Sequence, residues 1–212
     1  MDEKTLIAKR VALELKVGDL VNLGIGLPTF VAAFVPKDAD IFFQSENGII
    51  GMLALPEEGL EGEDLTDAGG GPIGALPGAA TFDSAMSFGL IRGGHVDVTV
   101  LGGLQVDQQG RLANWMVPGM GGAMDLVSGA KRVIVAMTHT VKGKPKIVQQ
   151  CSLPLTAARP VSLIVTEMAV IEPTADGLLL KELAPGITVT AVQQATEADL
   201  IIPDHVPEMP IL

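Results

Sequence analysis

The chain has 212 residues, 48% of them hydrophobic and only 18% charged, with a formal net charge of -11. That length accommodates one large domain with a substantial core, and the negative charge argues against nucleic acid and anionic membrane surfaces as partners. A single cysteine, Cys151, leaves no intrachain disulfide, and Met1-Asp2-Glu3-Lys4 lacks the charged-then-apolar layout of a signal peptide, so a reducing, cytoplasmic setting is expected.

Asp2 is placed to cap a first helix whose Leu6, Ile7, Val11 and Leu15 repeat at helical spacing, and Gly18-Asp19 punctuates before a strand at Leu20-Val21-Asn22-Leu23. Gly24-Ile25-Gly26-Leu27-Pro28 breaks that strand, Pro28 suits the first turn of a helix reaching Phe34, and Ile41-Phe42-Phe43 forms the next short strand. Two β units thereby deliver Asn22 and Glu46 to strand ends. Residues 51–74 read as loop, with acidic residues from Glu57 to Asp67 followed by Gly69-Gly70-Gly71-Pro72.

From Pro77-Gly78 the pattern resumes with a helix over residues 83–91 closed by Gly93-Gly94, then a strand over residues 96–101 ending at Gly102-Gly103. A second glycine-rich stretch, Gly119-Met120-Gly121-Gly122-Ala123-Met124-Asp125, leads to a strand over residues 132–137. The apolar run over residues 161–171 is interrupted by Glu167 before it reaches membrane-spanning length. Two apolar runs, residues 161–165 and 178–183, flank the turn-like Pro173-Thr174-Ala175-Asp176-Gly177, predicting a β-hairpin edge in the C-terminal half. The alternation predicts an α/β fold, a mainly parallel sheet flanked by helices, in one domain over residues 1–212. So few charges on so apolar a chain point to strands buried on both faces and to an interface with another chain.

One carboxylate stands out. Glu46 lies in the polar turn Ser45-Glu46-Asn47-Gly48 directly after an apolar strand. A carboxylate acts as a covalent nucleophile when it is ionised, held against an electrophilic carbonyl, and accompanied by donors for the oxyanion that develops. The same residue types also favour plain turns. Gly121 and Gly122 can expose backbone N–H groups without Cβ obstruction, although a flexible connector into the following helix reads the same way. The Asn22 amide, beside Gly24-Ile25-Gly26, can donate and accept. As a nucleotide fingerprint that stretch is weak, because Thr29 occupies the third glycine position. His95, His139 and His205 are scattered and read as structural, as do Arg92 at a helix terminus and Met116, Met120 and Met124 in packing; Trp115 reads as a core or interface anchor.

Ser45-Glu46-Asn47-Gly48 is similar to the Ser-Glu-Asn-Gly motif of family I CoA-transferases, their β (B) subunit in particular. Further segments resemble that subunit in the same order: Asn22-Leu23-Gly24-Ile25-Gly26-Leu27-Pro28, Leu76-Pro77-Gly78-Ala79, Ser87-Phe88, Ile91-Arg92-Gly93-Gly94-His95-Val96-Asp97, Leu112-Ala113-Asn114-Trp115 and the stretch from Gly119 to Leu126. The resemblance implies a sugar-phosphate-isomerase-like fold and a ping-pong exchange through a glutamyl-CoA thioester on Glu46. It implies Gly122, with Gly121, as oxyanion donor, and Asn22, Gly24, Gly26 and Asn47 as substrate contacts. It also implies no metal or redox cofactor, coenzyme A as substrate, a separate α (A) subunit in an α2β2 assembly, and short-chain or 3-oxo acids such as succinate, acetate and acetoacetate.

The same glutamyl intermediate intercepted by water would make a hydrolase, and related folds also serve as non-catalytic binding modules. Two departures from the family pattern accompany the resemblance. Some relatives carry a lysine after Asn-Ala-Gly where this chain has Asp67-Ala68-Gly69-Gly70, and a short lysine-containing stretch between Pro118 and Gly119 is missing here.

Overall fold

The computed structural model describes residues 1–36, 38–53, 61–62, 64–115 and 122–211. Helix α1 (Glu3–Ala12) begins where Asp2 accepts the Thr5 N–H at 3.0 Å, and it buries Ile7, Ala8 and Val11. Its last turn also buries Arg10, whose guanidinium forks onto Glu182 at 2.6 and 2.8 Å and reaches Glu14 at 2.9 Å. Arg132 adds a second bond to Glu14 at 2.9 Å, so four charges pin α1 to the strands beneath it. Removing Arg10 would leave Glu182, whose side chain is 13% exposed, without its cation, which costs about 3–5 kcal/mol.

The main sheet follows in chain order: β1 (Leu20–Leu23), β2 (Phe42–Ser45), β3 (Ile49–Leu53), β4 (Gly74–Thr81), β5 (Val98–Leu101), β6 (Arg132–Ala136), β7 (Leu163–Val165), β8 (Ala169–Thr174), β9 (Gly177–Leu183) and β10 (Leu200–Ile201). Between them lie α2 (Ser84–Arg92), α3 (Ala123–Gly129) and α4 (Val189–Ala195). The spatial order is β10-β9-β8-β7-β6-β5-β1-β2-β3-β4. Strands β7, β6, β5, β1 and β2 are mutually parallel. The parallel centre matches the expectation, and so does the β8–β9 hairpin. A second antiparallel flank, β2-β3-β4, lies on the other side.

Period-two alternation sorts the parallel strands onto two cores. Val21, Leu23, Val98, Val100, Ile134, Ala136, Leu163 and Val165 pack with α1. Leu101, Val133, Val135 and Ile164 pack with Ile91 of α2, Leu126 and Val127 of α3 and Val192 of α4. Each such side chain removed from water contributes about 1.5–3 kcal/mol, which is why the central strands read as continuous apolar runs.

Two local expectations are corrected. The segment opening at Pro28 is a 3-10 helix, Leu27–Phe34, rather than an α-helix. Residues 51–74, expected as loop, extend β3 through Leu53 and begin β4 at Gly74, and β4 takes in Pro77-Gly78, where the outermost position of the sheet tolerates a proline that cannot donate. What positions the site is the direction of the connections. From β1 the chain moves outward to β2, and from β5 it moves the opposite way to β6. A crevice therefore opens between β1 and β5 at their carboxyl ends, the place where open α/β sheets bind ligands.

Candidate active site

A cavity of about 400 Å³ occupies that crevice. Leu23, Gly24 and Ile25 close it from the end of β1, Ser45 and Glu46 from the end of β2, and residues 101–104 from the end of β5. Ala68, Asn114, Trp115 and the start of α3 complete the wall.

Glu46 is the first residue of the short connection that turns β2 into β3, where Ser45 and Ile49 are paired. The turn is closed by the Gly48 N–H donating to the Ser45 carbonyl at 3.0 Å, and it is fastened to the entry of α2 by the Phe82 N–H donating to the Gly48 carbonyl at 2.9 Å. Gly48 has φ +123°, and a Cβ there would run into the Phe82 carbonyl, so only glycine fits. The residues on either side of Glu46 are tied down. The Ser45 hydroxyl accepts the Ala68 N–H at 2.9 Å, and the Asn47 amide donates to the Thr66 carbonyl at 2.7 Å. Asp67 folds this loop by accepting the Gly69 and Gly71 N–H groups, each at 2.8 Å.

The Glu46 carboxylate is left facing the cavity, where it accepts the Gly122 N–H at 3.2 Å. A Cβ on Gly122 would come within 2.6 Å of Glu46 Oε2 and of the Phe88 ring, so the carboxylate sits where only glycine leaves room. Among the described residues no Lys, Arg or His forms an ion pair with it.

Asn22, only 2% exposed, lines the cavity from the end of β1. Its Nδ2 donates to Gln44 Oε1 at 2.7 Å and to the Gln44 carbonyl at 3.3 Å. Gln44 Nε2 in turn donates to the Ser45 carbonyl and to Ser87 Oγ, each at 2.9 Å. Backbone carbonyls can only accept, so both amide orientations are fixed by the network itself. Asn22 has therefore spent its N–H groups on Gln44, and the atom it keeps for a ligand is Oδ1. Gln44 and Ser87 lie outside the set of site residues expected from the sequence. The available signal is the polar Gln44 directly after the apolar Phe42-Phe43.

Of the remaining expected residues, Gly24 lines the cavity and donates its N–H to the Val100 carbonyl at 2.8 Å. Gly26 does not line it; its carbonyl accepts from Thr29, the hydroxyl at 2.6 Å. Asn47 does not line it either, because its side chain is turned to Thr66. Gly121 lies outside the described residues, as do Met116 and Met120. Asn114 and Trp115, the latter expected only as an anchor, form part of the wall: the Asn114 amide holds the Gly102 carbonyl at 3.0 Å, and Trp115 donates to the Leu155 carbonyl at 3.2 Å.

The site thus joins a carboxylate, one backbone N–H aimed at it, a fixed amide oxygen and apolar walls. That set can support nucleophilic attack by carboxylate on an acyl carbon.

The family model described as coenzyme A transferase matches residues 4–195, and the chain belongs to that family. It is 53% identical to the beta subunit of the acetate CoA-transferase of Haemophilus influenzae, over 100% of this chain and 97% of that protein. It is 51% identical to the B-type subunit of the succinyl-CoA:3-ketoacid coenzyme A transferase of Helicobacter pylori strain 26695, over 91% of this chain and 96% of the relative. In fold it is similar to the acyl-CoA transferase crystallised from Escherichia coli O157:H7, with a TM-score of 0.80 and 22% identity; the match covers 99% of this chain and 43% of that one.

Proposed function

We propose that this chain is the β subunit of a CoA-transferase that moves CoA between an acyl-CoA and a short-chain or 3-oxo acid by way of a glutamyl-CoA thioester on Glu46. The observation that carries the reading is the Glu46 carboxylate directed into the cavity with the Gly122 N–H on Oε1. A Glu46 oxygen attacks the thioester carbonyl and expels CoA thiolate, giving an acyl-glutamyl anhydride. The thiolate then attacks the glutamyl carbon, the C–O bond of the anhydride breaks, and the first acid leaves as carboxylate. A second carboxylate runs the same two steps in reverse and departs as its CoA ester, which regenerates Glu46.

The position of the Gly122 N–H assigns it a specific part. When thiolate attacks the glutamyl carbon, the oxyanion forms on the glutamyl group itself, at the atom this N–H already contacts. A preorganised donor of that kind is worth roughly 3–4 kcal/mol. Asn22, presenting an oxygen, suits an N–H of the CoA arm rather than a carboxylate. Coenzyme A is the substrate, and no metal or redox cofactor enters any step.

A CoA-transferase α subunit completes the enzyme, since the relatives are themselves named as β or B subunits. The donors that fit the reading are acetyl-CoA and succinyl-CoA, and the acceptors include acetate and acetoacetate. Incubating the αβ complex with acyl-CoA alone should add the mass of CoA, less water, to this chain at Glu46. Exchange of CoA by an enzyme that never carries that mass would refute the covalent route.

A further inference from the structure

We infer that Gln44 is a positioning residue for the transfer, holding both the peptide that carries Glu46 and the Asn22 amide in their working orientations while touching no substrate itself. The inference rests on the transfer reading above and deepens it by one residue. Gln44 is 1% exposed and does not line the cavity. It lies two residues before Glu46 and in register with Asn22 on β1, so its side chain reaches the β2 turn, β1 and α2 together. Nε2 spends its two N–H groups on the Ser45 carbonyl and on Ser87 Oγ of α2, and Oε1 accepts from Asn22. No donor is left over, and no flipped amide satisfies the same partners.

The Ser45 carbonyl belongs to the peptide bond that enters Glu46. It accepts the Gly48 N–H that closes the turn and the Gln44 amide as well, so that peptide plane is held twice, and with it the direction in which the Glu46 side chain leaves the backbone. The Ser87 bond reaches further. Ser87 and Phe88 are neighbours on α2, and a Cβ on Gly122 would lie 2.6 Å from the Phe88 ring, so the helix that anchors Gln44 also backs the donor Gly122. Glu46 and Gly122 are 76 residues apart in the chain, and the Gln44–Ser87 bond ties the strand of one to the helix behind the other. The Phe82 N–H on the Gly48 carbonyl is a separate backbone tie between the turn and the entry of α2, so losing Gln44 loosens the geometry without releasing the turn. A misplacement on the order of 1 Å between reacting groups costs about 10²-fold in rate.

Gln44→Met keeps the length of the side chain and removes all of its hydrogen bonds. The αβ complex is supplied with acetyl-CoA or succinyl-CoA, whichever the wild type turns over faster. Gln44→Met should then lower kcat, and the single-turnover rate at which CoA mass appears on Glu46, by about 10²-fold, with KM for acyl-CoA within about threefold. Ser87→Ala removes only the anchor on α2 and should lower kcat by about tenfold; it decides the matter if Gln44→Met yields no folded complex. Because Gln44 acts through the Glu46–Gly122 contact, Gln44→Met combined with Gly122→Ala should fall no more than about threefold below the slower single variant, whereas a loss from looser folding would multiply. A kcat within about twofold of wild type in either single variant, a raised KM at unchanged kcat, or a fully multiplicative double variant overturns the inference. The CoA mass on Glu46 separates the two levels of failure. If it appears on the wild type and equally fast on Gln44→Met, only the positioning role is wrong; if the wild type exchanges CoA and never carries it, the transfer reading falls and takes this inference with it.

Discussion

Glu46 and Glu167 are both carboxylates at the carboxyl end of a strand in one sheet, Glu46 directly after β2 and Glu167 two residues beyond β7. Glu167 accepts the His139 N–H with both oxygens, at 3.1 and 2.8 Å. The His139 ring is bracketed by the hydroxyls of Thr166 and Thr196, each at 2.9 Å. Burial raises the Glu167 pKa above the usual carboxylate range, and it pushes His139 down to about 4, with Lys146 adding to the effect. No member of that cluster lines the cavity. Glu46 has one N–H partner and a void in front of it. Two acids at the same edge thus differ in spare bonding capacity. A polar group whose neighbours satisfy it fixes the fold, whereas one left incompletely satisfied beside a cavity is free to react.

The contrast is broken most directly by exchanging each acid for its amide. Glu46→Gln should lower kcat by a factor on the order of 10⁴ or more while leaving the melting temperature nearly unchanged, because the swap is close to isosteric. Glu167→Gln should do the reverse, costing about 1–3 kcal/mol of stability with kcat changed only a few-fold. Thermal melts and steady-state rates on both variants decide it, and a catalytic collapse in Glu167→Gln would erase the distinction. Next in size is Gly122→Ala, whose Cβ would press on Glu46 Oε2 at 2.6 Å. Displacing the carboxylate from its donor should cost roughly 10²–10³ in kcat, with KM for acyl-CoA affected far less.

The sealed cluster makes a prediction of its own. His139 is fully buried, and its folded-state pKa of about 4 lies below the ordinary 6.5. Between those values the unfolded chain binds a proton that the folded chain refuses, so stability falls as pH drops from 6.5 toward 4. The loss approaches about 2–3 kcal/mol by linkage. Glu167, shifted upward, binds its proton more readily when folded and offsets part of that loss, and Lys146 stands beside both. His139→Gln can keep one threonine bond and cannot titrate, so its melting temperature should decline less steeply over the same range. Parallel slopes for the two proteins would remove His139 as the cause.

Much of this is legible in the residues themselves. Capping by Asp2, the β1–turn–β2 delivery of Asn22 and Glu46, and the C-terminal hairpin follow from local spacing, because caps and alternation depend on neighbours in the chain. The orientation of Asn47 is not legible for a related reason. In Ser45-Glu46-Asn47-Gly48 any polar side chain could face the cavity, and which one does is settled by Thr66 and Ala68, about twenty residues away. Gly26 joins the expected site through its proximity to Gly24, yet it lies on the far side of the turn. Strand β4 is hidden because Pro77 and Gly78 argue for a loop unless the strand is known to be an edge. The Ser87–Gln44–Asn22 relay needs three elements at once, and no spacing within the chain announces it.

The smallest effect probes the floor of the crevice. Thr99 on β5 is in register with Asn22 on β1, and its Oγ1 is buried with no hydrogen-bond partner among the described residues. An unpaired buried hydroxyl carries a desolvation cost with nothing to offset it, so Thr99→Val, which keeps the branched shape, should stabilise the protein by about 1 kcal/mol. Activity should stay within about twofold, because Asn22 is oriented by Gln44 and not by Thr99. Chemical denaturation with kinetics on the same preparation tests both halves. A loss of stability together with a fall in kcat would mean that the hydroxyl has a partner in solution, such as a buried water linking it to Asn22. The floor of the site would then be a working part of its polar network and not, as its geometry indicates, a mismatch tolerated between two strands.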